Sequence, residues 1–413
     1  MIPPGWKEAQ IGDVVADLRS GLSRKLSSSD IGLPVIRSTN ITDQGLLDLS
    51  DIKYWYRDDP QGASTENYFL QAGDILVNFI NSVAQIGKCA LYQGELDRDT
   101  IYTTNIFCVR VNDRILPEYF LLLSRTGEYA RYIHSVTKPA VNQASFTTKD
   151  FKRFRFALPP LSKQRKIAAI LGAWDQAIDL AEQRIGVARQ RKKGLMQRLL
   201  TGRVRFPEFE GEEWQEARLG DLGETYSGLS GKSKDDFGQG KPYIPYLNIY
   251  NNWAIDPGQM DHVSIKDGER QNRVKYGDIF FTTSSETPDE VGMSSVLLND
   301  PGEAYLNSFC CGFRLKNFDS LLPEYAVYLL RGEDFRHAMH YLAQGATRYN
   351  LAKRYLLEAS LLLPPLVEQR KIAAVLQTCD REIELLTRKR DALQRQKKGL
   401  MQQLLSGRVR VKV

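Results

Sequence analysis

The chain has 413 residues, 42% of them hydrophobic and 26% charged, with a formal net charge of +6. That is room for two or three domains with real cores, and too apolar for a disordered chain. No long apolar run and no signal-peptide pattern occurs, so a soluble, cytoplasmic protein without a membrane partner is expected. The five cysteines (Cys89, Cys108, Cys310, Cys311 and Cys379) are odd in number and lack metal-ligand spacing, so free buried thiols are expected.

Residues 1–157 read as a first globular domain. Short β-branched runs punctuated by turn signals alternate with helical stretches such as LPEYFLLLSR from Leu116, the pattern of an α+β domain. It closes in a basic-aromatic stretch, residues 149–156.

Residues 158–205 follow as LPPLSKQRKIAAILGAWDQAIDLAEQRIGVARQRKKGLMQRLLTGRVR. Pro159-Pro160 exclude helix upstream, Ser162 is the expected N-cap, and Gly202 suits the left-handed residue that ends a helix. Between them Ile167, Leu171, Trp174, Ile178, Ala181, Ile185 and Ala188 step by fours and threes, followed by Leu195 and Leu199, a coiled-coil seam interrupted at Lys192.

Residues 206–362 repeat the first domain in diverged form. WQEARLGDL from Trp214 matches WKEAQIGDV from Trp6, SGLSGK matches SGLSRK, YGDIFF matches AGDILV, and LPEYAVYLLR matches LPEYFLLLSR. Residues 363–413 then repeat the helix without a gap, at a constant offset of 205 residues. Here the seam is Ile372, Leu376, Ile383, Leu386, Leu393, Leu400 and Leu404, interrupted at Arg390 and Lys397, and Gly407 is the stop. A repeat of this kind decides the architecture before any finer reading. Each single-striped helix needs a partner, and its own duplicate is the obvious one. The expected fold is α+β: two similar domains separated by a long antiparallel coiled-coil helix pair, with pseudo-two-fold, circular organisation. Residues 409–413 should then pack on the first domain as residues 204–209 pack on the second.

Charge is uneven. The two helical segments carry a surplus of +15, residues 1–157 are balanced, and residues 206–362 are acidic. Basic helix faces are the usual footprint of a polyanion or an acidic protein partner.

Catalytic motifs are missing across reaction classes. Ser230-Gly231-Lys232-Ser233 suggests a phosphate loop, but Tyr226 stands where that fingerprint needs glycine. His337 and His340 lack a zinc-protease arrangement, and no dinucleotide, methyltransferase or paired-carboxylate pattern appears, so no catalytic or metal residue is assigned.

What varies between the repeats is polar and suited to base edges and phosphates. In the first domain the candidates are Arg37, Ser38, Asn40, Asn78, Asn81 and Ser82. Lys88, Asn105, Lys138, Asn142 and Gln143 complete that set. In the second they are Asn248, Tyr250, Asn251, Asn252, Thr283 and Ser284, with Ser285, Asn307, Arg348, Tyr349 and Asn350. Ordinary turn chemistry competes for each of these residues, and the acidity of the second domain weighs against phosphate binding.

The duplicated LPPL-x-x-Q segments with their long helices, the Gly-Asp openings at Gly12-Asp13 and Gly220-Asp221, and the internal repeat resemble the specificity (S) subunit of type I restriction–modification systems. The likeness runs along essentially the whole chain. The family motif has Glu before the Gln; Glu368-Gln369 keeps it and Lys163-Gln164 departs. The resemblance implies two target-recognition domains, each reading half of a split double-stranded DNA sequence, with the helices as a ruler. It implies no catalysis and no cofactor in this chain. Two modification (methyltransferase) subunits would dock on the helices with S-adenosylmethionine. Restriction/translocase subunits would add ATP- and Mg-dependent chemistry. The rival reading is a coiled-coil scaffold protein without sequence-specific DNA binding.

Overall fold

The computed structural model describes residues 2–140, 143–343, 345 and 348–412. They form two compact units, Met1–Ala181 with Lys389–Val413 (unit one) and Glu182–Arg388 (unit two). Each is mixed α and β, and no described helix is long and apolar enough to cross a membrane.

Unit one is built on a four-stranded antiparallel sheet in the order Val15–Ser20, Ile106–Val111, Ile75–Asn78, Cys89–Leu91. A three-stranded sheet sets Leu33–Ile36 between Lys53–Trp55 and Ile101–Tyr102. Lys7–Gln10 pairs with Arg155–Leu158, joining the opening of the domain to its last strand. Unit two repeats the plan with Gly223–Ser227, Cys310–Leu315, Ile279–Thr282 and Ser294–Val296, and closes by pairing Gln215–Arg218 with Ser360–Leu363.

The repeated sequence anchors have matching structural jobs. The Gly-Asp turns just before Ile75–Asn78 and Ile279–Thr282 place Asp74 and Asp278, both almost fully buried, against Arg110 (2.8 Å) and Arg314 (2.6 Å) on the central strands. Gly73 and Gly277 adopt φ of 98° and 82°, a left-handed turn that favours glycine. The SGLS glycines are there for close approach. A Cβ on Gly21 would collide with the Tyr102 carbonyl, and one on Gly228 with the Asn307 carbonyl. Lys232 of the phosphate-loop look-alike is buried on Glu269 and the Ser264 carbonyl (both 2.6 Å), so its ammonium is already spent within the fold.

The long helices run Leu161–Leu199 and Leu366–Leu405. Ser162 is not the cap: the helix starts one residue earlier, and the Pro160 carbonyl accepts the Lys163 and Gln164 N–H groups. Gly202 (φ 69°) and Gly407 (φ 67°) end the helices in the left-handed conformation expected of them.

Seam residues pack within both units. In unit one Ile167 and Leu171 share a core with Leu404, Leu405, Tyr119, Phe120 and Phe151, and Leu400 packs on its edge. In unit two Leu199, Ile372 and Leu376 share a core with Tyr325, Phe281 and Phe313, and Leu195 packs on its edge. Ile185 is buried; Trp174, Ile178, Ile383, Leu386 and Leu393 are half-buried. Val411 lies on the unit-one core and Phe206 on that of unit two, the packing expected of the two end segments.

The charges that interrupt the seam are paired. In unit two Lys192 reaches Asp380 (2.5 Å) and lies 4.0 Å from the centre of the Trp253 ring. In unit one Lys397 pairs with Asp175, which occupies the repeat position of Asp380. Arg390 pairs with its neighbour Asp391 (2.6 Å).

Two glutamines explain the LPPL-x-x-Q motif. Gln164, fully buried, donates from Nε2 to the Arg114 and Pro159 carbonyls and accepts the Leu116 N–H at Oε1, all at 2.9 Å. Gln369 does the same with the Ser320 and Pro364 carbonyls (2.7 and 2.9 Å) and the Leu322 N–H (3.0 Å). Leu116 and Leu322 open the LPEY helices, so each glutamine satisfies an orphan donor at a helix start. Beside Gln369, buried Glu368 accepts from Arg205 (2.6 and 3.1 Å) and from the Trp214 indole (3.2 Å). The first copy has Lys163 there. Among the described residues no acceptor meets the buried indole N–H of Trp6, the counterpart of Trp214.

Candidate nucleic-acid interface

Each domain carries one small accessory sheet where its variable segments meet. In unit one Ala144–Ser145 lies between Ile80–Asn81 and Lys138–Pro139. This gathers Asn81, Ser82, Lys138 and Gln143; Ser82, Lys138 and Gln143 are exposed and Asn81 is half-exposed. Asn142 lies outside the described residues. In unit two Ser284–Ser285 pairs with Tyr349–Asn350, placing Thr283, Ser284, Arg348, Tyr349 and Asn350 together. Two-stranded and three-stranded ribbons of this kind hold side chains at fixed spacing on alternate faces, a suitable mount for reading a groove.

Several candidates have other work. Asn40 is buried, donating to the Asp48 carbonyl (2.7 Å) and accepting the Arg37 N–H (2.8 Å). Asn248, its counterpart, donates to the Asp256 carbonyl (2.8 Å) and accepts the Asp256 N–H (3.0 Å). Both are turn clips with their polar atoms spent, so their assignment to DNA is corrected. Asn78 is fully buried, donating to the Ser38 carbonyl (3.3 Å), and Ser285 is buried against Glu290. These two are also removed from the reading surface. Asn40 and Asn248 close turns from inside, and Asn78 and Ser285 are strand residues turned inward; the letter alone does not tell either from a solvent-facing Asn or Ser.

The remaining candidates are tethered at one end. Arg37 pairs with Asp51 (2.7 Å), Lys88 with Asp43, and Tyr250 donates to Glu290 (2.9 Å). Asn252 donates to Asn248 (3.0 Å), Asn307 accepts the Phe309 N–H (2.8 Å), and the Asn105 carbonyl accepts the Phe79 N–H (3.2 Å). Ser38 is half-buried and Asn251 is exposed.

Glu290 sits below the usual carboxylate range, held there first by the Ser285 hydroxyl and then by the Tyr250 hydroxyl, so it stays charged beneath this surface. Part of the acidic surplus of the second domain is met by lysines of the long helices, Glu333 by Lys193 (3.5 Å) and Glu208 by Lys371, and other carboxylates pair within the domain. Glu303 pairs with Lys241 (2.7 Å) and Arg273 (3.0 Å), and Asp278 with Arg314. Arg348 stands exposed at the accessory strand. Tyr246, Glu286 and Phe309 complete the recess beside Ser284 and Arg348; sequence reasoning missed these three because no repeat anchor includes them. Among the described residues no group of three or more His, Cys, Asp or Glu gathers as a metal site.

Comparison with known proteins fits this geometry. The profile of the family described as type I restriction modification DNA specificity domain matches twice, over residues 3–188 and 211–395. The type I restriction enzyme MjaX specificity subunit of Methanocaldococcus jannaschii is 28% identical over 428 aligned positions, covering 100% of this chain and 95% of that one. Among solved structures, a chain of a type I R-M system described for its complex assembly and conformational transition superposes with a TM-score of 0.62. It is 18% identical and covers 99% of this chain and 100% of its own. The S subunit of a type I restriction-modification system from M. genitalium gives 0.56 at 13% identity, covering 98% and 96%. With two matches that span most of its length, the chain belongs to the type I restriction modification DNA specificity family.

Proposed function

We propose that this chain is the non-catalytic DNA-recognition subunit of a type I restriction–modification complex. Each globular domain reads one half of a bipartite target in double-stranded DNA, and the long helices pair antiparallel as a pseudo-symmetric coiled coil that spaces the domains. Two modification subunits dock on the basic helix faces and bring S-adenosylmethionine; restriction/translocase subunits bring ATP and Mg. The observation that carries the reading is one scaffold built twice, with the same sheet order and the same Arg–Asp and Gln anchors but different polar groups on the accessory sheets. The pairing of the helices is supported by Lys192–Asp380 and Lys397–Asp175, the same ion pair formed once with each copy as donor.

The test is to exchange residues 206–362 for the same segment of a related chain and map DNA methylation genome-wide. One half of the methylated sequence should change and the other stay. A change in both halves, or no change in either, would defeat modular reading. A scaffold without DNA recognition would show no sequence-selective, salt-dependent binding in the purified complex.

A further inference from the structure

Phe309 is 62% exposed on a firmly held backbone, against 37% for Phe237 and Phe318, the other exposed phenylalanines among the described residues. Its N–H donates to Asn307 Oδ1 and its carbonyl accepts from the Thr283 hydroxyl, both at 2.8 Å. The next residue, Cys310, is buried and begins the central strand Cys310–Leu315. The ring therefore stands on a rigid mount beside Ser284 and exposed Arg348. Its folding role is small, since at this exposure it is a member of none of the domain's cores.

The repeat supplies a control. Asn105 holds the matching place in the first domain: its carbonyl is clamped by the Phe79 N–H (3.2 Å), and buried Ile106 begins the matching strand. The matching place thus carries a half-exposed amide in the first domain and an exposed apolar ring in the second, each held by its main-chain carbonyl. An amide suits the donor–acceptor edge of adenine, whereas an apolar side chain has one apolar feature to meet in the major groove, the thymine 5-methyl group. A mount fixed in advance loses little freedom on binding, so the contact would be expressed as selectivity.

We propose that Phe309 contacts a thymine 5-methyl group in the half-site read by the second domain, and that positions 105 and 309 are one specificity position used twice. This rests on the DNA-reading function proposed above. The test uses the full chain assembled with its modification subunits. Methylation mapping and the 206–362 exchange first define the second half-site. Duplexes are then made in which each thymine of that half, on either strand, is replaced by deoxyuridine, which lacks only the methyl group. One such duplex should bind about fourfold more weakly, the factor for one buried methyl-sized group. Phe309→Ala should bind the parent duplex with a similar loss and be indifferent to that deoxyuridine, with unchanged thermal stability and subunit assembly. Phe309→Asn should shift the methylated motif at that base pair alone. The proposal is overturned by a second half-site without thymine, by deoxyuridine duplexes that all bind like the parent, or by a Phe309→Ala loss that is uniform across sequences or traceable to assembly. In those cases a bipartite motif would still stand; absence of any bipartite motif would remove the DNA-reading function itself.

Discussion

Glu368→Ala should destabilise unit two selectively. The carboxylate is 1% exposed and accepts three hydrogen bonds, two from Arg205 and one from the Trp214 indole. Removing it leaves a guanidinium that is itself only 15% exposed without its counter-charge, and strands a half-buried indole N–H. Breaking a buried ion pair by deleting one partner costs about 3–5 kcal/mol. For a unit of this size each kcal/mol moves the melting temperature by roughly 2–4 °C, so a fall of about 6–20 °C is expected. Glu368→Gln keeps an acceptor oxygen and should lose less. Hydrogen exchange read by mass spectrometry on the full chain separates the units: peptides from residues 206–362 should exchange faster and those from residues 7–157 should not. The converse substitution, Lys163→Glu, gives the Trp6 indole an acceptor and should slow exchange in unit one by the equivalent of about 1 kcal/mol. Unchanged melting and exchange in Glu368→Ala would refute the assignment of this clasp.

Lys192→Ala removes both the Asp380 pair and the cation over Trp253, and should lower the denaturant midpoint of unit two by the equivalent of about 1–2 kcal/mol; a neutral effect would make it a solvated surface lysine. Leu376→Ala, at a fully buried seam position, should cost about 2–5 kcal/mol, and a loss below 1 kcal/mol would place it outside the core. The Glu269 carboxyl is held down to about 2, first by the Lys232 ammonium and then by Gln271. Its stabilisation is therefore full above the ordinary value of 4.5 and is lost as pH falls from there through about 2. Lys232→Met should flatten the acid limb of the stability profile of unit two over that window, and an unaltered limb would contradict it.

The long helices were legible because their signals are local: proline before, glycine after, and a three–four apolar step between. The repeat offset exposed the Gly-Asp turns and LPEY helices in the same way. The partners of the charges that interrupt the seam were not legible. Lys192 and Lys397 look like breaks in a hydrophobic pattern, yet each has an aspartate on the other long helix within its own unit to meet it, a partner 188 or 222 residues away in sequence that no periodicity reveals. Asn40 and Asn248 failed as candidate readers because solvent-facing and turn-closing asparagines share the same local context. Phe309 went unnoticed because an aromatic residue before a strand reads as core.

The side-chain amides of Gln164 and Gln369 hydrogen-bond to main-chain atoms: a carbonyl and an amide at the start of an LPEY helix, and a proline carbonyl. The residues that supply one of those carbonyls differ, Arg114 in one domain and Ser320 in the other, without altering the bond pattern. Such a joint is indifferent to the identity of the side chains it grips. If each domain reads half of the target as proposed, a domain that brings the same backbone turn should be exchangeable without refitting the helix that grips it.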